Sequence, residues 1–140
     1  MNYFLDTNIC LYFLKGKNDK IENNIKKLNP NRIKIPSIVK AELLLGALKS
    51  QNPKKNQSTI LNFLDPFEII GFNDIESEIY SEIRSDLESK GLPIGPNDLI
   101  IASIVLSNNG ILVTNNEKEF SRILSLKLEN WTKKTSENQK

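Results

Sequence analysis

The sequence contains no histidine and a single cysteine, Cys10, in 140 residues. The absence of histidine excludes Ser-His-Asp and Cys-His catalytic arrangements and every histidine-based metal site. One cysteine cannot form an internal disulfide, which favours a reducing compartment. Any chemistry must therefore depend on carboxylates, hydroxyl groups, lysine or a bound ion.

Long hydrophobic runs are also missing. No apolar stretch approaches the about 20 residues that a membrane-spanning helix needs. The first residues, MNYFLDTN, lack the basic start and apolar core of a secretory signal. The net charge of +2 neither requires nor excludes a nucleic-acid partner. The composition predicts one globular domain in the cytoplasm, with no membrane segment.

Short apolar strands alternate with helical patterns along the chain. The strands are predicted at residues 3–5, 32–36, 67–72, 111–114 and 126–128. Strands separated by helices need crossover connections, which produce a mostly parallel sheet covered on both faces. We therefore predict an α/β fold, with ligand sites beyond the carboxyl ends of the strands where the strand order reverses.

The helix after the second strand is predicted to have Ser37 as its N-cap. Its apolar stripe is predicted to consist of Ile38, Ala41, Leu44, Leu45 and Leu48. Residues 49–57 then form a predicted loop. A later helix is predicted to begin at Pro96, because proline suits the first helical turn.

Three carboxylates stand where this pattern predicts burial. Asp6 ends the first apolar strand, directly before a turn and a helix. Glu42 falls on the predicted stripe, four residues after Ile38 and three before Leu45. Asp98 heads the inward-facing stripe of its own helix. These three positions are the candidates for chemistry.

Each of the three acids also has a structural explanation that the residues leave open. Asp6 is suited to capping the following helix, and Asp98 to the first turn of its helix, where the helix dipole favours an acid. Glu42 would lie at the edge of its stripe, satisfied by Lys40, by Lys49 or by water.

Together, the three acids favour a cation site. Carboxylates that converge at one end of a sheet repel each other unless a cation neutralises them. Oxygen-only ligation favours Mg²⁺ or Mn²⁺ over zinc. Because Mg²⁺ keeps several bound waters, one water is available to attack a phosphodiester. The pattern therefore predicts metal-assisted phosphodiester hydrolysis.

Four motifs in order resemble the PIN-domain nucleases, and among them the VapC toxins of toxin–antitoxin pairs. They are LDTN at 5–8, SIVKAEL at 37–43, GPNDLIIA at 95–102, and LVTNNEKEF at 112–120 with LENW at 128–131. The resemblance covers residues 2–131. It implies a PIN nuclease domain at 1–131, and we expect residues 132–140 to be a flexible tail.

The resemblance implies a three-layer PIN-like fold, in which helices flank a central parallel five-stranded sheet, usually in a homodimer. It implies the toxin of a type II toxin–antitoxin system, an endoribonuclease that uses Mg²⁺ or Mn²⁺. A VapB-type antitoxin would inhibit it by inserting a segment into or beside the pocket, and several VapC proteins cut structured RNA such as initiator tRNA. By position, Asp6, Glu42 and Asp98 would be catalytic acids and metal ligands, while Thr7 and Asn8 would line the site.

The chain departs from the family at the fourth acidic position. Many PIN domains have an aspartate shortly after strand four, where Asn116 stands here. An asparagine carbonyl can accept a metal or a water without carrying charge, and Glu119 is an alternative catalytic acid three residues on. Thr114, at the end of the strand, is expected to line the site. The departure puts a two-metal mechanism in doubt, and the sequence leaves open which residue completes the site.

Two other functions share parts of the pattern. A phosphatase with a nucleophilic Asp6 would carry D-x-D after strand one, but the second position is Asn8, and helix acids such as Asp98 do not fit that pattern. A non-enzymatic PIN-like module that only engages RNA or an antitoxin is favoured solely by Asn116. Metal binding would distinguish this module from the enzyme.

Overall fold

The core of the protein is a sheet of five parallel strands in the order β3-β2-β1-β4-β5, as seen in a computed structural model that describes residues 1–133. The strands are β1 (Tyr3–Leu5), β2 (Ile33–Pro36), β3 (Glu68–Ile70), β4 (Ile111–Val113) and β5 (Lys127–Glu129). The α-helices are α1 (Thr7–Leu14), α2 (Asp19–Lys27), α3 (Ser37–Leu48), α4 (Pro53–Leu64), α5 (Asp74–Ser89), α6 (Pro96–Ser107) and α7 (Glu117–Phe120), and a 3-10 turn covers Pro30–Arg32. The predicted α/β fold with a five-stranded parallel sheet flanked by helices is confirmed.

The central strands are short and apolar because helices cover both faces of the sheet. Phe4 and Leu5 of β1 are fully buried, as are Ile33 and Ile35 of β2. These positions form one hydrophobic cluster with the inward faces of the helices. A strand buried on both faces does not alternate, which is why three-residue apolar runs mark the sheet in this sequence.

The strand order reverses at β1, which pairs with both β2 and β4. The chain runs outward from β1 to β2 and β3, then returns to the other side of β1 as β4 and β5. Leu5 lies opposite Val113, and Val113 lies opposite Glu129. The residues that follow these strands, Asp6 and Thr114, therefore stand level at the carboxyl edge of the sheet, at the switch point where such folds bind ligands.

Helix α3 differs from the prediction in its start and in its buried face. It begins at Ser37 itself, with Pro36 at the cap position and no capping side chain, so the predicted Ser37 cap is wrong. The buried stripe consists of Val39, Leu43 and Ala47. The predicted stripe is wrong because SIVKAELLLGAL carries apolar residues on more than one face, and packing against neighbouring elements selects the face.

Helix α4 begins at Pro53, inside the predicted loop at 49–57. Proline fits this first position because its missing N–H would have had no partner within the helix. Within residues 1–133 no helix has the length and apolar character that crossing a membrane requires. Residues 134–140 of the predicted tail lie outside the described part of the chain, so that boundary stays a prediction.

Candidate active site

A cavity of about 160 Å³ opens at the carboxyl edge of the sheet. It is lined by Asp6, Thr7, Asn8, Glu42, Asp98, Ile101, Asn116 and Phe120. Six of these eight residues were expected at the site from the sequence. The lining includes three carboxylates and no lysine or arginine. The cavity therefore offers oxygen ligands, and no basic side chain in its lining balances their negative charge.

Asp6 caps a helix and lines the cavity at the same time. Its Oδ1 accepts the Ile9 N–H at 3.0 Å, which fixes the start of α1, while the side chain remains only 6% exposed. Burial raises the pKa of Asp6, hydrogen bonds from the Thr114 hydroxyl and the Ile9 N–H lower it, and the charge of Glu42 raises it, with an upward net shift. Thr114, which was expected to line the site, is fully buried and is not among the residues that line the cavity; its hydroxyl instead bonds to Asp6.

Glu42 is half-buried and reaches the cavity from the edge of the α3 stripe. Its Oε1 accepts the Thr7 hydroxyl at 2.6 Å, and its Oε2 accepts the Asn97 amide at 3.3 Å. Neither Lys40 nor Lys49 forms an ion pair with it in the described chain. Uncharged donors therefore orient the Glu42 carboxylate and leave its charge unneutralised.

Asp98 projects from the first turn of α6 into the same cavity. Burial, followed by the charges of Glu119, Asp6 and Glu42, raises the pKa of Asp98 to about 6. Burial first, and then three neighbouring carboxylates, thus oppose the ionisation of Asp98. Negative charge accumulates in this cavity without a protein cation to balance it.

Asn116 and Glu119 are the two candidates for the fourth acidic position of the site. Asn116 lines the cavity, and its Nδ2 donates to Glu119 Oε2 at 3.2 Å. The Asn116 backbone N–H donates to Thr114 Oγ1 at 2.9 Å. Glu119 does not line the cavity, but its charge acts on Asp98. The two residues that the sequence presented as alternatives are therefore hydrogen-bonded partners.

Asn97, Ile101 and Phe120 belong to the site but were not predicted from the sequence. Asn97 contacts Glu42 across 55 residues of sequence, and its signal was its place beside Asp98 in GPNDLIIA. Phe120 and Ile101 are each 1% exposed and form the apolar wall of the cavity. Such a wall excludes water and strengthens the interactions among the acids.

The donor set fits a hard cation that keeps part of its water shell. Within residues 1–133, no three acidic or cysteine side chains are already gathered around one point as a closed metal cage. Mg²⁺ does not require such a cage, because it binds through one or two carboxylates and retains several waters. Asp6 and Asp98 are the carboxylates that could hold such an ion, and Glu42 and Asn116 line the remaining space.

The contribution of Asp98 to the stability of the metal-free protein is expected to fall as the pH rises from about 4 to about 6. The pKa of Asp98 is raised in the folded state, so the folded state binds more protons than the unfolded state across this window. The cost above pH 6 is on the order of 1 to 2 kcal/mol once solvent screening of this half-exposed group is allowed for. Asp98→Asn should therefore raise the Tm at pH 7.5 in EDTA and have little effect near pH 4.

Thermal unfolding with and without Mg²⁺ measures this effect. Mg²⁺ should raise the Tm of the unmodified protein at pH 7.5 and leave that of Asp98→Asn nearly unchanged. Glu82→Gln removes an exposed acid on α5 and is the matched control, in which no gain is expected. A lower Tm for Asp98→Asn than for the unmodified protein at pH 7.5 would contradict the repulsion argument.

Comparison with known proteins shows the family of the chain. The family model described as PIN domain matches residues 3–124. Ribonuclease VapC2 of Rickettsia felis is 50% identical over 134 residues, which cover 95% of this chain and 100% of that protein. The chain belongs to the VapC ribonucleases of the PIN-domain family. The family and the ribonuclease activity predicted from the motifs are thus confirmed.

Another relative and a solved structure agree with this membership. The tRNA(fMet)-specific endonuclease VapC of Shigella flexneri is 34% identical, over 94% of this chain and 99% of that protein. The crystal structure of VapBC2 from Rickettsia felis, bound to a DNA fragment from their promoter, matches with a TM-score of 0.87 and 49% identity, over 94% of this chain and 99% of that one. PIN-domain nucleases are generally metal-dependent, while the roles of single residues in this chain stay predictions.

Proposed function

We propose that the chain is the toxin of a type II toxin–antitoxin pair and cleaves RNA phosphodiester bonds with Mg²⁺, or Mn²⁺ in its place, held by Asp6 and Asp98. The observation that carries this proposal is the convergence of Asp6, Glu42 and Asp98 on one cavity without a basic residue, where burial and then the neighbouring carboxylates raise the pKa of Asp98 to about 6. A divalent cation is the group that offsets this repulsion and binds oxygen donors.

The contacts of the side chains support a role for each of them. When bound, the ion lowers the pKa of a coordinated water and offsets charge on the phosphate. Asp6 and Asp98 hold it, and the Thr114 and Ile9 donors keep Asp6 oriented. Glu42, fixed by its two hydrogen bonds, is placed to accept a proton from the attacking water as general base.

The substrate class we propose is a structured RNA of the initiator tRNA type. The Shigella relative, aligned over nearly its whole length, is named a tRNA(fMet)-specific endonuclease. We also propose a cytoplasmic location, which suits an RNA substrate and the free, buried Cys10 thiol. The homodimer expected from the family stays a prediction, which sedimentation would test.

A larger and mostly apolar groove of about 420 Å³ lies between α1, α3 and α4. It is lined by Leu11, Leu14, Lys15, Glu42, Leu43, Gly46, Ala47, Asn56, Thr59 and Ile60. We propose that an apolar segment of a VapB-type antitoxin occupies it, since the similar Rickettsia structure is a VapBC complex. Glu42 lines both the groove and the acidic cavity, so an occupant of the groove also reaches the catalytic acids.

Incubation of the purified, antitoxin-free protein with total RNA tests the activity. We expect discrete cuts in the presence of Mg²⁺ or Mn²⁺, which mapping of the new RNA ends would locate. Excess EDTA should reduce cleavage to background, and added Mn²⁺ should restore it. Cleavage that persists in EDTA would contradict the metal assignment. Mn²⁺ calorimetry identifies the non-enzymatic alternative, because a module without a metal site would give no binding heat.

A further inference from the structure

The segment LENW at 128–131 belongs to the motifs of the chain, yet no step of the proposed reaction uses it. It ends β5 and enters the turn that follows. Glu129 accepts the Thr114 N–H at 3.0 Å through its backbone carbonyl. Because β4 and β5 are in register at their carboxyl ends, Asn130 stands directly beside the loop that carries Thr114 and Asn116.

Asn130 contacts the residues on both sides of Asn116. Its Nδ2 donates to Asn115 Oδ1 at 3.1 Å and to Glu117 Oε2 at 3.0 Å. Lys133 Nζ lies 2.6 Å from Glu117 Oε2, and the hydrogen bonds from Lys133 and Asn130 lower the pKa of Glu117. The residues that flank Asn116 are thus held from the same side by the segment after β5.

Apart from Asn130 and Lys133, few side chains restrain the neighbours of Asn116: Thr132 Oγ1 also donates to Asn115 Oδ1 at 3.1 Å. The backbone of Asn116 lies outside the helix and strand regions, at φ −95° and ψ 58°, and its N–H bonds to a side chain rather than to a neighbouring strand. Helix α7, which follows it, is only four residues long. The position of the Asn116 side chain therefore depends on what fixes its two neighbours as well as on its own hydrogen bond to Glu119 Oε2.

Asn130 is itself anchored to the core. The adjacent Trp131 is 6% exposed, and its ring centroid lies 5.5 Å from that of Tyr3 in β1. Trp131 Nε1 donates to Glu129 Oε1 at 3.0 Å. Asn130 Oδ1 accepts the Thr132 N–H at 2.9 Å, which fixes the amide plane so that its NH₂ group points at the loop. The core thereby holds the donor in one orientation.

We propose that Asn130 is a positioning residue for catalysis, which clamps Asn115 and Glu117 so that Asn116 faces the acidic cavity with Glu119 bonded behind it. The catalytic consequence rests on the proposed function, whereas the ordering of the loop does not. Outer contacts that orient the groups around a metal commonly change its affinity or the activity by about 10- to 100-fold. We expect an effect of about tenfold here, since the clamp acts one residue away from the cavity.

Asn130→Asp is the variant that tests the clamp. It keeps the oxygen that accepts from Thr132 but replaces the NH₂ donor by an oxygen that faces Asn115 Oδ1 and the Glu117 carboxylate. We expect about tenfold weaker Mn²⁺ binding and about tenfold lower kcat with KM unchanged. In the metal-free protein, hydrogen exchange of the Asn116 amide should become faster. Combining Asn130→Asp with Glu117→Gln supplies an amide that donates to the carboxylate introduced at position 130. In this double-mutant cycle, much of the Mn²⁺ affinity, the kcat and the protection of the Asn116 amide should be restored.

Leu126→Ala is the control for general destabilisation. It removes core contacts before β5, and Leu126 is 7% exposed, but it leaves the clamp contacts in place. At a temperature where both proteins are folded, it should leave Mn²⁺ affinity and Asn116 exchange unchanged. The proposal is overturned if Asn130→Asp matches the unmodified protein in both measurements, or if Leu126→Ala reproduces its effects. Should the unmodified protein bind no Mn²⁺ and cut no RNA, the proposed function fails, and Asn116 exchange still decides on the clamp.

Discussion

Asp98→Asn is expected to reduce metal-dependent RNA cleavage by about a thousandfold or more, to background, in a protein that stays folded. Asparagine retains the shape of aspartate and one oxygen but not the charge that holds a cation. The burial cost and the carboxylate repulsion that raise the pKa of Asp98 both disappear with this charge. The same substitution should therefore stabilise the metal-free protein while it inactivates the enzyme, which separates a catalytic role from a structural one.

Asp6→Asn should cause a comparable loss of activity with little change in folding. Asparagine is as good an N-cap as aspartate, so it still accepts the Ile9 N–H. Asp86→Asn, which removes an exposed acid paired with Lys90 on α5, is the control and should retain full activity. Initial cleavage rates with Mn²⁺ and circular dichroism measure the two properties. Full activity of either site variant, after exclusion of contaminating nuclease, would refute the assignment.

The positions of Asp6 and Asp98 were predictable because local rules determine them. Asp6 follows a continuously apolar strand, which is typical of a strand buried at the centre of a parallel sheet. The carboxyl end of such a strand is where ligands bind. Asp98 follows Pro96, which fixes the first turn of α6 and so the face on which Asp98 lies. The alternation of strands and helices likewise sufficed to predict the parallel sheet, because crossover connections permit few other arrangements.

Glu42 was identified for a reason that the structure does not support. The predicted stripe would have buried Leu45 and Leu48, but these are 53% and 57% exposed, and α3 instead buries a stripe that includes Leu43. The helix has more apolar residues than one face needs, so the periodicity could not select the face. Glu42 reaches the cavity because Thr7, 35 residues away in sequence, and Asn97, 55 residues away, orient its carboxylate.

Contacts between distant segments explain why Asn97 and Asn130 were not predicted from the sequence. Asn97 acts on Glu42 from another helix, and Asn130 acts on Asn115 and Glu117 from the end of another strand. Their types and local spacing resemble those of ordinary turn residues. Only the register of the sheet and the packing of α3 against α6 bring them to the site, and neither is encoded in a local pattern.

Gly46→Arg is expected to weaken inhibition by the cognate VapB-type antitoxin by about a hundredfold, or roughly 3 kcal/mol of binding energy, while cleavage continues. Gly46 lines the groove on α3, and a Cβ at this position would meet no atom within 4 Å. The free protein therefore accommodates the substitution, and replacing a helical glycine should stabilise α3 by about 0.5 to 1 kcal/mol. The arginine side chain would occupy the groove and place a charge where the antitoxin segment has to bury apolar groups.

Gly46→Ala separates the effect on the backbone from the effect on the groove. It gives the same helical stabilisation but leaves the groove open, so inhibition should be unchanged. Titration of purified antitoxin into the cleavage assay, with the Tm of each variant measured in parallel, compares them directly. If Gly46→Arg were inhibited as fully as Gly46→Ala, the antitoxin segment would have to lie elsewhere. If Gly46→Arg lost cleavage without antitoxin, either the arginine would have paired with Glu42 one helical turn away, or the groove would belong to the path of the RNA. Retained cleavage with lost inhibition is the one combination that assigns the groove to the antitoxin. A segment bound there would reach the catalytic acids through Glu42, which lines both the groove and the acidic cavity.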